Sequence, residues 1–118
     1  MSLKVLIVDD AQVDRRNLER IVTSAGHRVF FAESGEEGVT RARNDKPDVI
    51  LMDVNMPDLD GFAATRQLKA DSQTKDIPVV FVTGKNQKAD IAWGKMLGAK
   101  GFVSKPYDDA EILAQLAA

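Results

Sequence analysis

The sequence predicts a doubly wound α/β domain: five parallel strands with helices on both faces of the sheet. Three observations point there. Short apolar runs recur without polar alternation, as strands covered on both faces require. Stretches of helical periodicity separate these runs, implying parallel strands joined by right-handed crossovers. The first, third, fourth and fifth runs end on polar residues that would share one sheet edge.

Val5-Leu6-Ile7-Val8 reads as the first strand, ending at Asp9 and Asp10. From about Val13 to Ala25, Leu18, Ile21, Val22 and Ala25 fall at helical spacing, and Gly26 follows where a left-handed cap residue is wanted. Val29-Phe30-Phe31 is a short second strand. Ser34, with Glu37 three residues later, is a capping-box signature for a helix carrying Val39 and Ala42. Pro47 breaks that helix, and Asp48 to Met52 makes a buried third strand ending at Asp53. A loop from Val54 to Asp60 leads to a helix through Leu68. Pro78 begins the fourth strand, Val79 to Val82, which ends at Thr83. The next helix closes at Gly98 and sets Ala89, Ala92, Trp93 and Met96 on one face, expected to be its core face. Ile91 falls off that face and is expected to be exposed, reading equally as an ordinary lone apolar surface residue and as a contact for a partner. Gly101 to Ser104 supplies the fifth strand before Lys105-Pro106, and Ala110 to Leu116 the last helix. That helix is short for a domain end and reads as trimmed. Met1-Ser2-Leu3 reads equally as native or as an added leader.

A length of 118 residues fits one domain, residues 1–118, because two cores would each be marginal. The hydrophobic share of 44% suffices for an ordinary core, and 29% charged residues give a net charge of only −2. Lys and Arg are scattered and the pI is near 5.3, which argues against direct nucleic-acid contact and against attraction to anionic lipid. The absence of cysteine excludes disulfides and thiolate metal sites and is compatible with the cytoplasmic setting expected here. The run from Val49 to Met52 is too short to span a bilayer, and the amino end lacks a signal-peptide core, so no membrane insertion is expected.

In an open parallel sheet, ligands bind outside the carboxyl ends of the strands, where chain-distant groups converge. Asp9, Asp10, Asp53, Thr83 and Lys105 are all predicted there. Three carboxylates in one crevice repel one another unless a cation sits among them. With oxygen ligands only, magnesium is the natural ion, and manganese would also fit. A carboxylate, such an ion, a lysine and a threonine hydroxyl are together what phosphoryl transfer to aspartate requires. Asp53 is then the nucleophile, the ion and Lys105 neutralise the transferring oxygens, and Thr83 donates a hydrogen bond to one of them.

The stretches Val8-Asp9-Asp10, Met52-Asp53-Val54-Asn55-Met56-Pro57-Asp58-Leu59-Asp60-Gly61, Val82-Thr83-Gly84 and Phe102-Val103-Ser104-Lys105-Pro106 closely resemble the response-regulator receiver family, across essentially the whole chain. The resemblance implies a flavodoxin-like (βα)5 sheet of order 2-1-3-4-5 and a part in two-component signalling or a phosphorelay. A histidine kinase or phosphotransfer domain would supply the phosphoryl group, and the chain would modify itself without being a conventional turnover enzyme. By resemblance, Asp10, Asp53 and the backbone carbonyl of Asn55 ligate magnesium, Asp9 acts mostly through water, and the Lys105-Pro106 bond is cis, which would help aim the lysine. The family also couples Thr83 to the setting of Phe102, which lacks the hydroxyl of a tyrosine, and so reshapes a surface of the fourth helix, fifth strand and fifth helix that a downstream protein reads. Asn55 and Lys85 occupy positions that tune rates in the family; Lys85 reads equally as a phosphoryl contact and as a solvated side chain. Ile91-Ala92-Trp93-Gly94-Lys95, Leu97-Gly98-Ala99 and Ala63-Ala64-Thr65-Arg66-Gln67-Leu68 are similar to single-domain receivers of type IV pilus and twitching-motility systems. A receiver cut from a longer regulator or hybrid kinase would look the same.

Singly, each of these residues has a plainer reading. An aspartate at a strand end is more often a helix cap, Thr83 a strand terminus, Phe102 a core aromatic and His27 a surface turn residue. Convergence favours chemistry. A phosphorylation-independent interaction module would not need the full acidic set. A small-molecule phosphatase of the aspartate class would need a spaced aspartate motif that adjacent Asp9-Asp10 do not supply. Nucleotide binding lacks any glycine-rich fingerprint or phosphate-binding loop.

Overall fold

The apolar runs form β1 (Lys4–Val8), β2 (Arg28–Ala32), β3 (Val49–Met52), β4 (Val79–Thr83) and β5 (Gly101–Ser104), all parallel in the order β2-β1-β3-β4-β5. Between and after them lie α1 (Gln12–Ser24), α2 (Gly35–Asp45), α3 (Gly61–Ala70), α4 (Lys88–Met96) and α5 (Asp109–Leu116). The computed structural model describes residues 2–117, so Met1 of the Met1-Ser2-Leu3 question and Ala118 of the expected 1–118 domain lie outside the described residues. Among those described, no helix is long and apolar enough to cross a membrane.

Strand parity divides the core. Leu6, Val8, Ile50, Met52, Val79 and Phe81 point to the face covered by α2 and α3, while Val5, Ile7, Val49, Leu51, Val80 and Val82 meet Leu18, Ile21 and Val22 of α1 and Ile112 and Leu116 of α5. Both faces are apolar, which is why the strands read as unbroken hydrophobic runs. Local signals set the helix starts. Ser34 Oγ accepts from the Glu37 amide (3.1 Å), and the Glu37 carboxylate accepts from the Glu33 amide, one residue earlier than in a strict capping box. Asp60 Oδ1 accepts from the Ala63 amide at 2.8 Å and starts α3.

The expected core face of α4 is overturned. Ala89, Ala92, Trp93 and Met96 are exposed, Trp93 by 40% and Met96 by 77%, while Gly94 is buried and Ile91 and Leu97 are half-buried. The helix carries two competing stripes, and the sheet surface decides between them. Phe62, Phe81 and Phe102 form an aromatic row with ring centroids 5.1 and 5.8 Å apart. A Cβ at Gly94 would sit 3.2 Å from both Phe81 and Phe102, so α4 approaches the row through its glycine, and neither Trp93 nor Met96 would fit there. Fully burying a Val, Leu or Ile side chain is worth about 1.5–3 kcal/mol, and α1 buries Leu18, Ile21 and Val22, whereas α4 fully buries only Gly94. It is the least anchored helix.

His27 also departs from its expected surface placement: it is half-buried, and its Nδ1 accepts from the Leu3 amide at 2.9 Å, tying the chain start to the β2 edge.

Gly61 opens α3 hard against the end of β3. A Cβ there would lie 2.2 Å from the Asp53 carbonyl oxygen and 2.8 Å from Val54 Cα, backbone atoms that cannot swing aside. Gly61→Ala is therefore expected to cost about 2 kcal/mol in urea denaturation. Gly84→Ala, with nothing within 4 Å of the added methyl, should shift stability far less. Equal midpoints for the two variants would contradict the close approach.

Candidate active site

The parallel ladder continues one residue past several strands and fixes the polar groups at their ends. The Asp9 amide donates to the Ala32 carbonyl (3.1 Å), the Asp53 amide to Val8 (2.9 Å) and the Lys105 amide to Thr83 (3.0 Å). Adjacent strands thus deliver Asp9, Asp53, Thr83 and Lys105 to one edge, with Asp10 beside them.

Oxygens of Asp9, Asp10 and Asp53 lie within 4.8 Å of one another. Asp9 is 1% exposed and Asp53 7%, whereas Asp10 is exposed at the mouth of the crevice. Lys105 Nζ donates to Asp9 Oδ2 (2.9 Å), Asp14 Oδ2 (3.0 Å) and Asp53 Oδ2 (3.3 Å). Asp9 Oδ1 accepts from the Ala11 amide (2.9 Å), and Arg15 Nη1 donates to the Asp9 carbonyl at 2.7 Å. The Asn55 amide donates to Asp53 Oδ1 at 3.2 Å, which ties residue 55 to that carboxylate. The Lys105-Pro106 bond is cis.

Burial raises the Asp9 carboxyl above its ordinary range; the Ala11 amide and Lys105 work against the rise, and the Asp53 charge adds to it. Burial pulls the Lys105 ammonium down, but Asp9 and Asp14, with the charge of Asp53, outweigh it and hold the group above its usual value. An oxygen-only set of carboxylates, two of them nearly buried and compensated by one shared lysine, suits a small hard cation.

Thr83 is fully buried, and its Oγ1 accepts from the Lys85 amide at 3.1 Å. Phe102 is half-buried beside Phe81 and under Gly94. The Lys85 side chain is exposed, and its Nζ pairs with Asp90 Oδ1 of α4 at 3.3 Å. The residues missed by the sequence reading are Asp14 and Arg15, both in the first turn of α1. Their spacing, four and five after Asp10, was a usable signal, because one helical turn folds such positions back over the strand end.

The response regulator receiver domain family matches residues 5–117. Protein PilH of Pseudomonas aeruginosa is 47% identical over 110 residues, spanning 93% of this chain and 91% of that protein. Response regulator PleD of Caulobacter vibrioides is 40% identical over 116 residues, which span 98% of this chain but 26% of that longer protein. Among solved structures, the chemotaxis response regulator CheY4 of Vibrio cholerae superposes with a TM-score of 0.90 at 33% identity, covering 98% of this chain and 97% of the other. The receiver domain of sensor histidine kinase PA1611 from Pseudomonas aeruginosa, described with a magnesium ion coordinated in its active site cleft, has a TM-score of 0.89 at 29% identity and covers 98% and 95%. A match of this extent, on a sheet of the expected order with its acidic crevice at the expected edge, makes the chain a member of the response regulator receiver family, a signalling domain of two-component systems.

Proposed function

We propose that residues 1–118 act as one receiver domain in which Asp53 accepts the phosphoryl group and Asp9, Asp10, Asp53 and the Asn55 carbonyl hold magnesium, or manganese in its place. The observation that carries this is the setting of Asp53: a carboxylate 7% exposed at a sheet edge, its Oδ2 3.3 Å from an ammonium shared with Asp9. An Asp53 oxygen forms the new P–O bond as the donor's bond to phosphorus breaks. For a phosphohistidine of a histidine kinase or phosphotransfer domain, that is the P–N bond, and its electron pair leaves with the imidazole. Lys105 neutralises one phosphoryl oxygen. The Thr83 oxygen already accepts from Lys85, so its hydroxyl hydrogen remains to be donated to another phosphoryl oxygen. The ion supplies further charge neutralisation when bound. The domain modifies itself and is not a turnover enzyme.

Readout follows from the weak attachment of α4. Drawing Thr83 toward a phosphoryl group changes the packing at the end of β4, next to Phe102 on β5, and the aromatic row that supports Gly94 changes with it. The surface of α4, β5 and α5 is the one a downstream protein reads, with Trp93 and Met96 as its exposed apolar contacts. The kinship of the α3 and α4 stretches supports a pilus or twitching-motility output. Scattered basic residues support a protein partner without direct nucleic-acid contact, and the cysteine-free sequence accords with a cytoplasmic setting.

Incubation with magnesium and acetyl phosphate should add one phosphoryl mass to the protein, and Asp53→Asn should abolish it. No increment in the parent, or the same increment in the variant, would sink the assignment. Trp93, the single tryptophan, gives a second readout: its emission should change on adding magnesium and beryllofluoride and stay constant in Asp53→Asn. A silent Trp93 in the parent would rule out α4 as the moving surface.

The raised Asp9 carboxyl has a sign that can be checked. Its ionised form is disfavoured in the fold, so folding free energy is lost as pH rises from the ordinary carboxylate range through the folded-state value. Without metal, Asp9→Asn should raise Tm at neutral pH, and the gain should vanish in acid. A lower Tm than the parent at neutral pH would show that the Lys105 contact outweighs burial.

A further inference from the structure

An ammonium has three N–H donors, and in Lys105 each one meets a carboxylate: Asp9 at 2.9 Å, Asp14 at 3.0 Å and Asp53 at 3.3 Å. The donors are therefore all engaged before any phosphoryl group arrives. A phosphoryl oxygen on Asp53 needs one of them, so one carboxylate has to give way. Asp9 is 1% exposed, and without Lys105 it would be left a buried anion. Asp53 carries the incoming group itself. Asp14, in the first turn of α1 with a side chain 42% exposed, is the acceptor that water replaces most cheaply. It also has room to leave, because a cavity of about 370 Å³ lined by Asp14, Asn17, Lys105, Pro106 and Tyr107 flanks the contact.

Resting on the phosphoacceptor reading above, we propose that Asp14 is a positioning residue that competes with the phosphoryl group for Lys105 and so sets how readily Asp53 is phosphorylated. The competition is local. Asp9, Asp10 and Asp53 give the crevice its negative charge, Lys105 pairs with Asp9 and Asp53, and Asp14 draws on that same cation from the α1 side. Removing its charge weakens the hold on one N–H and lowers the repulsion met by an anionic donor. A carboxylate elsewhere on α1 would not do both.

The test is the acetyl phosphate concentration that half-saturates labelling in magnesium, read by intact mass for the parent, Asp14→Asn, Asp14→Glu and Glu19→Gln. Glu19 lies on the same helix and forms no ion pair with Lys105, so its variant controls for long-range charge. Asp14→Asn should lower the half-saturating concentration about threefold, the scale of a partly exposed ion pair. Glu19→Gln and the charge-restoring Asp14→Glu should behave as the parent does. The role is overturned by an Asp14→Asn value at or above the parent's, by an equal drop in Glu19→Gln, or by Asp14→Glu matching Asp14→Asn. A parent that takes no label would overturn the phosphoacceptor reading and this role with it. A labelled parent with an unchanged Asp14→Asn would overturn this role alone.

Discussion

The ammonium of Lys105 is the interaction on which the acidic edge of this fold depends. Asp9 and Asp53 are nearly buried, and two such anions side by side are costly unless a cation is shared between them. The lysine reaches them only because β1, β3, β4 and β5 are paired in a register that ends their ladders together. Slipping one strand by a single residue would exchange the side chains it gives to the two differently packed faces and carry its terminal polar group out of line, so the packing that fixes the register also fixes the site. The arrangement remains electrostatically strained: burial still raises the Asp9 carboxyl despite the lysine. That residual cost makes the crevice receptive to a cation and places stability and function in opposition.

The rest of the molecule divides by how firmly it is held. The face carrying α1 and α5 is packed by aliphatic side chains from β1, β3, β4 and β5. On the other face α2 and α3 are equally well buried, but α4 rests on Phe81 and Phe102 through a glycine. An element with so little buried surface opens at lower free energy than its neighbours, as a switching element requires. The Lys85–Asp90 pair and the Lys85 amide bond to Thr83 connect the start of α4 to the end of β4 by polar contacts, so the loosely packed helix is still linked to the crevice.

Much of this was legible in the residues. The strands were found because burial on both faces leaves unbroken apolar runs, and Pro47, Pro78 and Gly26 mark their punctuation. The edge residues were found because a polar group directly after such a run has few other places to be. The facing of α4 was not legible: Ala89-Ala92-Trp93-Met96 is the more hydrophobic stripe, and only the tight aromatic surface of Phe81 and Phe102 selects the Gly94 side. Asp14 was missed for a related reason. Its spacing after Asp10 hints at the turn back over the strand end, but its partner there, Lys105, lies 91 residues away in sequence. His27 shows the same limit, since its partner is the backbone amide of Leu3, 24 residues earlier.

The misjudged helix and the missed aspartate bear on one equilibrium from opposite sides. In the proposed reaction a singly charged carboxylate becomes a nearly doubly charged acyl phosphate, a net gain of about one negative charge where Lys105 is already engaged, so the new state would form only as far as the lysine can be drawn from α1, and Thr83 drawn in, toward the phosphoryl oxygens. In the proposed switch, whatever favours the rearranged α4 surface also favours that redistribution, because the two are linked through Thr83 and the aromatic row. A protein that binds the rearranged surface more tightly must therefore stabilise the phosphorylated form by the same free energy with which phosphorylation strengthens its own binding. A kinase docking near α1 would act on the other arm, through the helix that presents Asp14 to Lys105. On the proposed reading, signal entry and signal output are coupled through a single ammonium and one glycine-seated helix, and the magnitude of that coupling is bounded by the few contacts that hold each in place.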